Sequence, residues 1–211
     1  MATKSEEEVK WEPSHMRLSP SKINTYMKCP REFYYKYIAK IPEKKTIHLF
    51  RGTLVHQVLE DLFKQKFKSL TLWEKGAPAQ WVQEEFEKGW EEKIAKHKWL
   101  WEVHTKEEMD SMYLETEDIL QNFVKSVNKK LTEMVNDFDG GTTLLDYKTS
   151  KRYGAYLPED YYRQLIIYAF LYTLEMGEMP KFVGVNYLRF DDTFFVKVNQ
   201  QVLDEAKDLI K

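Results

Sequence analysis

Apolar side chains recur at helical spacing through the first two thirds of the chain. A helix is predicted from Gly52 to about Lys68, and the apolar face that we expect it to bury comprises Leu54, Val55, Val58, Leu59, Leu62 and Phe63. Residues 70–131 lack the alternation of strands and predict two amphipathic helices, with apolar faces at Trp81, Phe86, Trp90 and Ile94 and at Met112, Ile119, Leu120, Phe123 and Val127. We therefore expect residues 70–131 to form a helical insertion or subdomain.

Strand signals appear only in the last third of the chain. The run of Thr and Leu at 142–145 favours a strand, and the turn-forming residues at 137–141 before it predict a β-hairpin. Further along, the pattern predicts a helix at 161–176 that is apolar almost all round, a second strand pair at 181–189 and 193–198, and a closing helix at 202–211. This order is typical of an α/β (α+β) core with a helical insertion.

The N-terminal stretch predicts two short helices after a charged leader. Ser19 and Pro20 are a good helix start, with Ser as the N-cap and Pro at the first helical position. A short aromatic helix follows Pro30, and we expect its apolar residues to pack in the core: Phe33, Tyr34, Tyr37 and Ile38. We assign residues 1–16 to a flexible leader and 17–211 to a single domain.

Composition places the chain among soluble globular proteins. Of its 211 residues, 15% are aromatic and 31% are charged, and no apolar run approaches the roughly 18 residues of a membrane helix. We therefore expect no membrane association. With Cys29 as its one cysteine, the chain can form no internal disulfide, which is consistent with a reducing compartment and a cytoplasmic location.

Charge is unevenly distributed, although the net charge is only −2. Between Arg17 and Arg51 there are nine Lys or Arg residues against two acids. One interpretation is a basic lobe that faces a phosphate backbone, and the other is ordinary solvated helix faces.

Asp146 and Lys148 are the candidate chemical centre. They lie two residues apart on the predicted strand and therefore point to the same face. Two basic residues, Lys151 and Arg152, follow the strand. A carboxylate can hold a hard cation, and an adjacent ammonium can orient a water or balance charge on a phosphate. Such a pair is also often an ordinary solvated ion pair.

Two further polar positions have similar alternatives. His56 borders the apolar face of its helix, so it is either a packing residue or a ligand that reaches into a site. Gln164 and Tyr168 share one face of a predicted buried helix, where Gln164 either ties down the backbone or faces a wet site.

Taken together, these segments resemble the PD-(D/E)XK nuclease superfamily, and within it the RecB-like exonucleases, including the CRISPR-adaptation nuclease branch. The resemblance covers about Ser19 to Tyr168. Four segments in order carry it: the Ser19-Pro-Ser…Tyr26…Cys29-Pro30 opening, Gly52-Thr-Leu-Val-His56, Leu145-Asp-Tyr-Lys-Thr149 and Gln164-Leu-Ile-Ile-Tyr168. Each is short, and their joint presence makes the assignment specific.

The resemblance implies a restriction-endonuclease-like core, in which helices flank a mixed β-sheet, and it implies roles for the matching residues. His56 and Asp146 would hold Mg²⁺ or Mn²⁺ together with the carbonyl of Tyr147, and Lys148 would position or activate the attacking water. Gln164 and Tyr168 would orient the DNA strand or the site. The basic residues at 151 and 152 are further DNA-binding candidates.

The chain departs from the family pattern in two places. The family has another acid before the strand in a Gly-x-x-Asp context, and thirteen residues before Asp146 the chain has Glu133 without that Gly. We take Glu133 as the second catalytic and metal-binding acid, with Asp137 as the substitute. Some relatives also hold an iron–sulfur cluster through four cysteines, and with Cys29 alone no such cluster is expected in the chain as given.

Two functions follow as hypotheses. The first is a metal-dependent DNA nuclease, an exonuclease that acts on single-stranded ends or flaps in association with a helicase or a CRISPR-adaptation partner. The second is a non-catalytic DNA-binding or assembly module that keeps the fold with an incomplete metal site. A purely structural domain with a chance set of motifs is the third and weakest interpretation.

Overall fold

The computed structural model describes residues 17–43, 46–65, 75–134, 141–150 and 154–210, and for 128–134 it describes the backbone alone. Residues 1–16, which the sequence assigns to a leader, lie outside this part of the chain. The described helices are α1 (Pro20–Lys28), α2 (Pro30–Phe33), a π-helix (Tyr34–Ile38), α3 (Ile47–Lys64), α4 (Ala77–Lys96), α5 (Trp99–Val103), α6 (Lys106–Met134), α7 (Glu159–Met176) and α8 (Gln200–Ile210). The described strands are β1 (Thr143–Lys148), β2 (Phe182–Tyr187) and β3 (Asp192–Lys197).

The three strands form one mixed sheet in the order β1-β2-β3. β1 runs parallel to β2, with Asp146 opposite Val185, and β2 runs antiparallel to β3, with Asn186 opposite Thr193. The β1–β2 connection contains α7, because parallel neighbours need a crossover. The prediction of a mixed sheet flanked by helices is confirmed, and so is the second strand pair.

The predicted hairpin before β1 is wrong. Helix α6 continues to Met134, which leaves no room for a strand before the expected turn, and Asp137 lies in the undescribed segment 135–140. β1 instead pairs with β2, which follows α7 in the chain.

Two hydrophobic clusters lie on opposite sides of β1. The first is formed by α3, α4 and α6, and its fully buried members include Leu54, Val55, Val82, Phe86 and Leu120. The second lies between the sheet, α7 and α8, and its fully buried members include Ile166, Ala169, Val183, Val185 and Ala206. Burial of such large apolar surfaces is the main force that holds the layers together.

Helix α3 differs from its prediction at its start and at one position of its apolar face. It begins at Ile47 because the Thr46 hydroxyl accepts a hydrogen bond from the Leu49 amide at 3.2 Å, as an N-cap does. Phe63 is 57% exposed, although the rest of the predicted apolar face is buried. Its ring instead stacks on that of Tyr147, 6.3 Å away.

The aromatic residues of α2 and the π-helix do not pack in the core, contrary to the prediction. No residue of α1, α2 or the π-helix is buried. Phe33 and Tyr37 contact each other at 5.2 Å, while Tyr34 is 47% exposed. The rings therefore pack mainly against one another at the surface. The predicted start of α1 is confirmed, since Ser19 caps it with Pro20 at the first position.

Helix α7 is buried over only part of its surface. Leu165, Ile166 and Ala169 face the sheet and α8, but Leu171 and Leu174 are exposed. The prediction of burial almost all round was therefore too broad, because the contacts of α7 with the sheet cover one side of the helix. No helix in the described part of the chain has both the length and the apolarity that a bilayer span requires.

Gly184 tests the packing of the sheet. A Cβ at this position would lie 2.8 Å from the Phe194 carbonyl oxygen, a backbone atom of β3 that cannot move without disturbing the ladder. We expect Gly184→Ala to lower the free energy of unfolding by about 1–3 kcal/mol in urea denaturation. Gly52→Ala is the matched control, since its nearest contact would be an ordinary 3.5 Å to the Thr149 hydroxyl. Equal stability of wild type and Gly184→Ala would contradict the packing described.

Candidate active site

Side chains alternate along β1, so its charged residues lie on one face of the sheet and Tyr147 lies on the other. The Tyr147 ring packs edge-on against Phe123 at 5.1 Å, within the helical cluster. Burial there raises the pKa of the Tyr147 phenol. Asp146 and Lys148 point to the opposite face, towards α7. Tyr147 thus anchors the strand on the core while its two neighbours stay available for chemistry.

Asp146 and Lys148 form a direct ion pair. Lys148 Nζ lies 2.8 Å from Asp146 Oδ2, and each side chain is 21% exposed. The ammonium also lies 4.5 Å from the centre of the Tyr161 ring, within range of a cation–π contact. Partial burial shields the pair from bulk water and strengthens the interaction between its charges. The pair is therefore half-buried, unlike the solvated ion pair that was the alternative interpretation of these two residues.

Gln164 connects both members of the pair. Its Nε2 atom donates to Asp146 Oδ2 at 3.2 Å and to the Tyr168 hydroxyl at 2.9 Å. Its Oε1 atom accepts from Lys148 Nζ at 3.3 Å. The amide therefore orients the carboxylate and the ammonium at once. Of the two roles that the sequence allowed for Gln164, the structure shows the one that faces a polar site.

Helical spacing on α7 explains why these side chains converge. Tyr161, Gln164 and Tyr168 are separated by three and four residues, so they lie on one face of the helix. The parallel crossover places that face against β1, where Asp146 and Lys148 emerge. The cluster thus depends on the α7 crossover as well as on the local sequence of β1.

Arg51 holds the end of β1, a role that was not predicted from the sequence. It is only 4% exposed, and its Nη2 atom donates to the Thr149 carbonyl at 3.2 Å. Its Nη1 atom pairs with Glu115 at 3.1 Å, and Arg189 pairs with the same carboxylate at 3.2 Å. Burial, followed by the neighbouring Arg189 charge, lowers the pKa of Arg51, while Glu115 opposes that shift. No local signal in the sequence indicates this role, because Glu115 and Thr149 lie far from Arg51 along the chain.

The remaining candidates have no described contact with this cluster. His56 is exposed on α3, one turn after Gly52, which approaches Thr149 at the end of β1. Glu133 belongs to the last turn of α6, but its side chain lies outside the described residues, as do Lys151 and Arg152. The structure thus brings together four of the candidates, namely Asp146, Lys148, Gln164 and Tyr168.

The donors at this site are compatible with a hard divalent cation. The Asp146 carboxylate and the main-chain carbonyl of Tyr147 are adjacent oxygen donors, which Mg²⁺ and Mn²⁺ favour. Nowhere in the described ranges do three or more His, Cys, Asp or Glu side chains form a group that could hold a metal ion. Mg²⁺ is often bound through one or two carboxylates plus waters and substrate phosphates, so a single described carboxylate is sufficient to begin such a site.

Comparison with protein families gives a match over most of the chain. A sequence model of the family described as the PD-(D/E)XK nuclease superfamily matches residues 17–209. This range includes β1, α7 and every candidate residue named above. No curated protein matches the chain.

Glu115 provides a test of the contacts that hold the end of β1. Replacing it with Ala leaves the Arg51 guanidinium buried beside Arg189 without their shared carboxylate. We expect Glu115→Ala to lower the free energy of unfolding by about 3 kcal/mol, measured by urea denaturation, because an uncompensated buried charge is costly. Asp110→Ala, at an exposed position of the same helix, is the control and should change stability little. Equal stabilities of the two variants would refute a structural role for the Arg51–Glu115 pair.

Proposed function

Because the chain belongs to the PD-(D/E)XK nuclease superfamily, we propose that it is a metal-dependent nuclease that hydrolyses DNA phosphodiester bonds at β1. The observation that carries this proposal is the cluster of Asp146, Lys148 and Gln164, in which a half-buried ion pair is oriented by one amide. A family match shows ancestry, whereas the function depends on the chemistry of the site.

Lys148 has the central role in the proposed reaction. Its ammonium is held by Asp146, Gln164 and the Tyr161 ring, so its position is fixed before substrate arrives. From there it can hold the attacking water by a hydrogen bond and balance the negative charge that develops on the phosphate. Groups oriented in advance stabilise a transition state without the cost of reorganisation.

Asp146 and the Tyr147 carbonyl are the proposed first ligands of the divalent cation, with His56 and Glu133 as the further ligands. When bound, such a cation lowers the pKa of water and offsets negative charge on the phosphate. Gln164 keeps the Asp146 carboxylate oriented, and Tyr168 in turn accepts a hydrogen bond from Gln164. The proposed role of these two α7 residues is to orient the site and the DNA strand.

Several narrower features belong to the same proposal. The substrate is DNA with single-stranded ends or flaps, and the basic stretch around α1 and α2, with Lys151 and Arg152, supports an anionic partner. Residues 17–211 form one nuclease domain with 70–131 as a helical insertion. The protein acts in the cytoplasm, alongside a helicase or a CRISPR-adaptation partner.

One observation favours a second candidate function, a DNA-binding or assembly module without catalysis. Asp146 is the one carboxylate within the described cluster, and no described group of three His, Cys, Asp or Glu side chains completes a metal site. Such a module would bind DNA with its fold intact and would not cleave it.

Cleavage of DNA, and its dependence on Lys148, distinguishes these two functions. We expect Lys148→Ala to reduce cleavage of end-labelled single-stranded DNA by at least about 100-fold with Mn²⁺, because the fixed ammonium is lost. Folding and DNA binding should be largely retained. Lys197→Ala removes the same charge from an exposed position on β3 and should cleave like the wild type. Wild-type rates in Lys148→Ala would show that this residue has no part in catalysis.

Metal binding is measured independently of cleavage by calorimetric titration with Mn²⁺. We expect wild-type protein to bind the ion and Asp146→Ala to bind it at least about tenfold more weakly, because the adjacent oxygen donors act together. EDTA should stop cleavage, and excess Mn²⁺ should restore it. Cleavage that continues in EDTA would exclude the metal-dependent reaction, and DNA binding without Mn²⁺ binding would favour the non-catalytic module.

A further inference from the structure

The N-terminal helices expose aromatic and basic side chains on one continuous segment. Tyr26 is 55% exposed and Tyr35 is 40% exposed, and Met27, Arg31 and Tyr34 are exposed as well. We call these five residues the aromatic–basic surface. Large exposed apolar groups that occur together, and are not scattered singly, mark binding sites.

Two tyrosines of this surface are held in defined orientations. The rings of Tyr34 and Tyr35 are 5.6 Å apart at 68° to each other. The Nε and Nη2 atoms of Arg31 both lie 3.3 Å from the Tyr35 hydroxyl, to which they donate. The segment that begins at Tyr34 is a π-helix, in which the Ala39 amide donates to the Tyr34 carbonyl at 2.8 Å. Such π-helical turns are often found at functional sites.

The charge of this region favours an anionic occupant. Residues 17–43 contain six Lys or Arg residues and two acids, Glu32 and Glu43. Both acids are matched by lysines, since Lys28 lies 3.9 Å from Glu32 and Lys36 lies 2.8 Å from Glu43. The remaining cations give the region a net positive charge. Exposed aromatic faces beside such charge are the features by which proteins bind single-stranded nucleic acids.

Contacts between α1 and α7 fix this surface relative to the candidate active site. The side-chain amide of Asn24 donates to the Asp160 carbonyl at 2.8 Å, and Arg163 Nε donates to Asn24 Oδ1 at 2.9 Å. Arg163 directly precedes Gln164, which contacts Asp146. The aromatic–basic surface is therefore attached to the same end of α7 that contributes Gln164.

We propose that the aromatic–basic surface binds single-stranded DNA and guides it to Lys148. Bases stack on Tyr34 and Tyr35, while Arg31 contacts the backbone phosphates. This inference rests on the proposed nuclease function, because it supplies the path of that function's substrate. Duplex DNA binds this surface poorly, since the faces of its paired bases are already stacked on one another.

Fluorescence anisotropy with a labelled oligothymidylate tests this proposal in EDTA, where no metal-dependent cleavage interferes. For the double variant Tyr34→Ala/Tyr35→Ala we expect the dissociation constant to rise about 10- to 100-fold, with little change for a duplex of equal length. The double variant Tyr34→Phe/Tyr35→Phe keeps both rings and should bind within a few fold of the wild type. Trp101→Ala removes an exposed aromatic from α5 and should leave binding unchanged.

Two results would overturn the proposal. One is a folded alanine double variant whose affinity for the oligothymidylate stays within about twofold of the wild type. The other is wild-type protein that does not bind the oligothymidylate, in which case the surface serves another partner. Cleavage with Mn²⁺ is scored separately. If the wild type cleaves DNA and the alanine double variant binds the oligothymidylate as well as the wild type does, only the proposed role of the aromatic–basic surface is contradicted. If binding depends on the tyrosines but the wild type does not cleave DNA, only the nuclease proposal is contradicted.

Discussion

The two-sided environment of β1 is the constraint on which the rest of the structure depends. The strand lies between two hydrophobic clusters, and Tyr147 packs into the helical one. Since side chains alternate along a strand, anchoring Tyr147 forces Asp146 and Lys148 to the other face. A slip of one residue would send both charges into the helical core, so the register of β1 is strongly specified.

Once β1 is in register, neighbouring elements limit the freedom of its charged residues. Gln164 supplies a donor to Asp146 and an acceptor to Lys148, so the amide holds the pair from α7. From the opposite layer, Arg51 donates to the carbonyl of Thr149, directly after Lys148. Charged groups fixed in this way are typical of sites in which electrostatic stabilisation is prepared before substrate binds.

The sequence predicted features that depend on local spacing and missed those that depend on distant partners. The apolar face of α3, the Ser19 cap and the shared face of Gln164 and Tyr168 all follow from periodicity or capping rules. The role of Arg51 depends on Glu115 and Thr149, which are far away in the chain, so no local pattern indicates it. Exposure of Tyr34 was likewise missed, because aromatic spacing does not show whether another element covers the rings. The turn residues before β1 predict a hairpin with a preceding strand, whereas the partner of β1 is β2, which lies after α7.

The most direct test of a metal site on β1 is the anomalous diffraction of Mn²⁺ in crystals of the wild-type protein. We expect an anomalous peak beside the Asp146 carboxylate and the Tyr147 carbonyl, on the face of β1 that carries Lys148. An ion bound elsewhere, with no peak at Asp146 although the same preparation cleaves DNA with Mn²⁺, would contradict the assignment of the active site to β1.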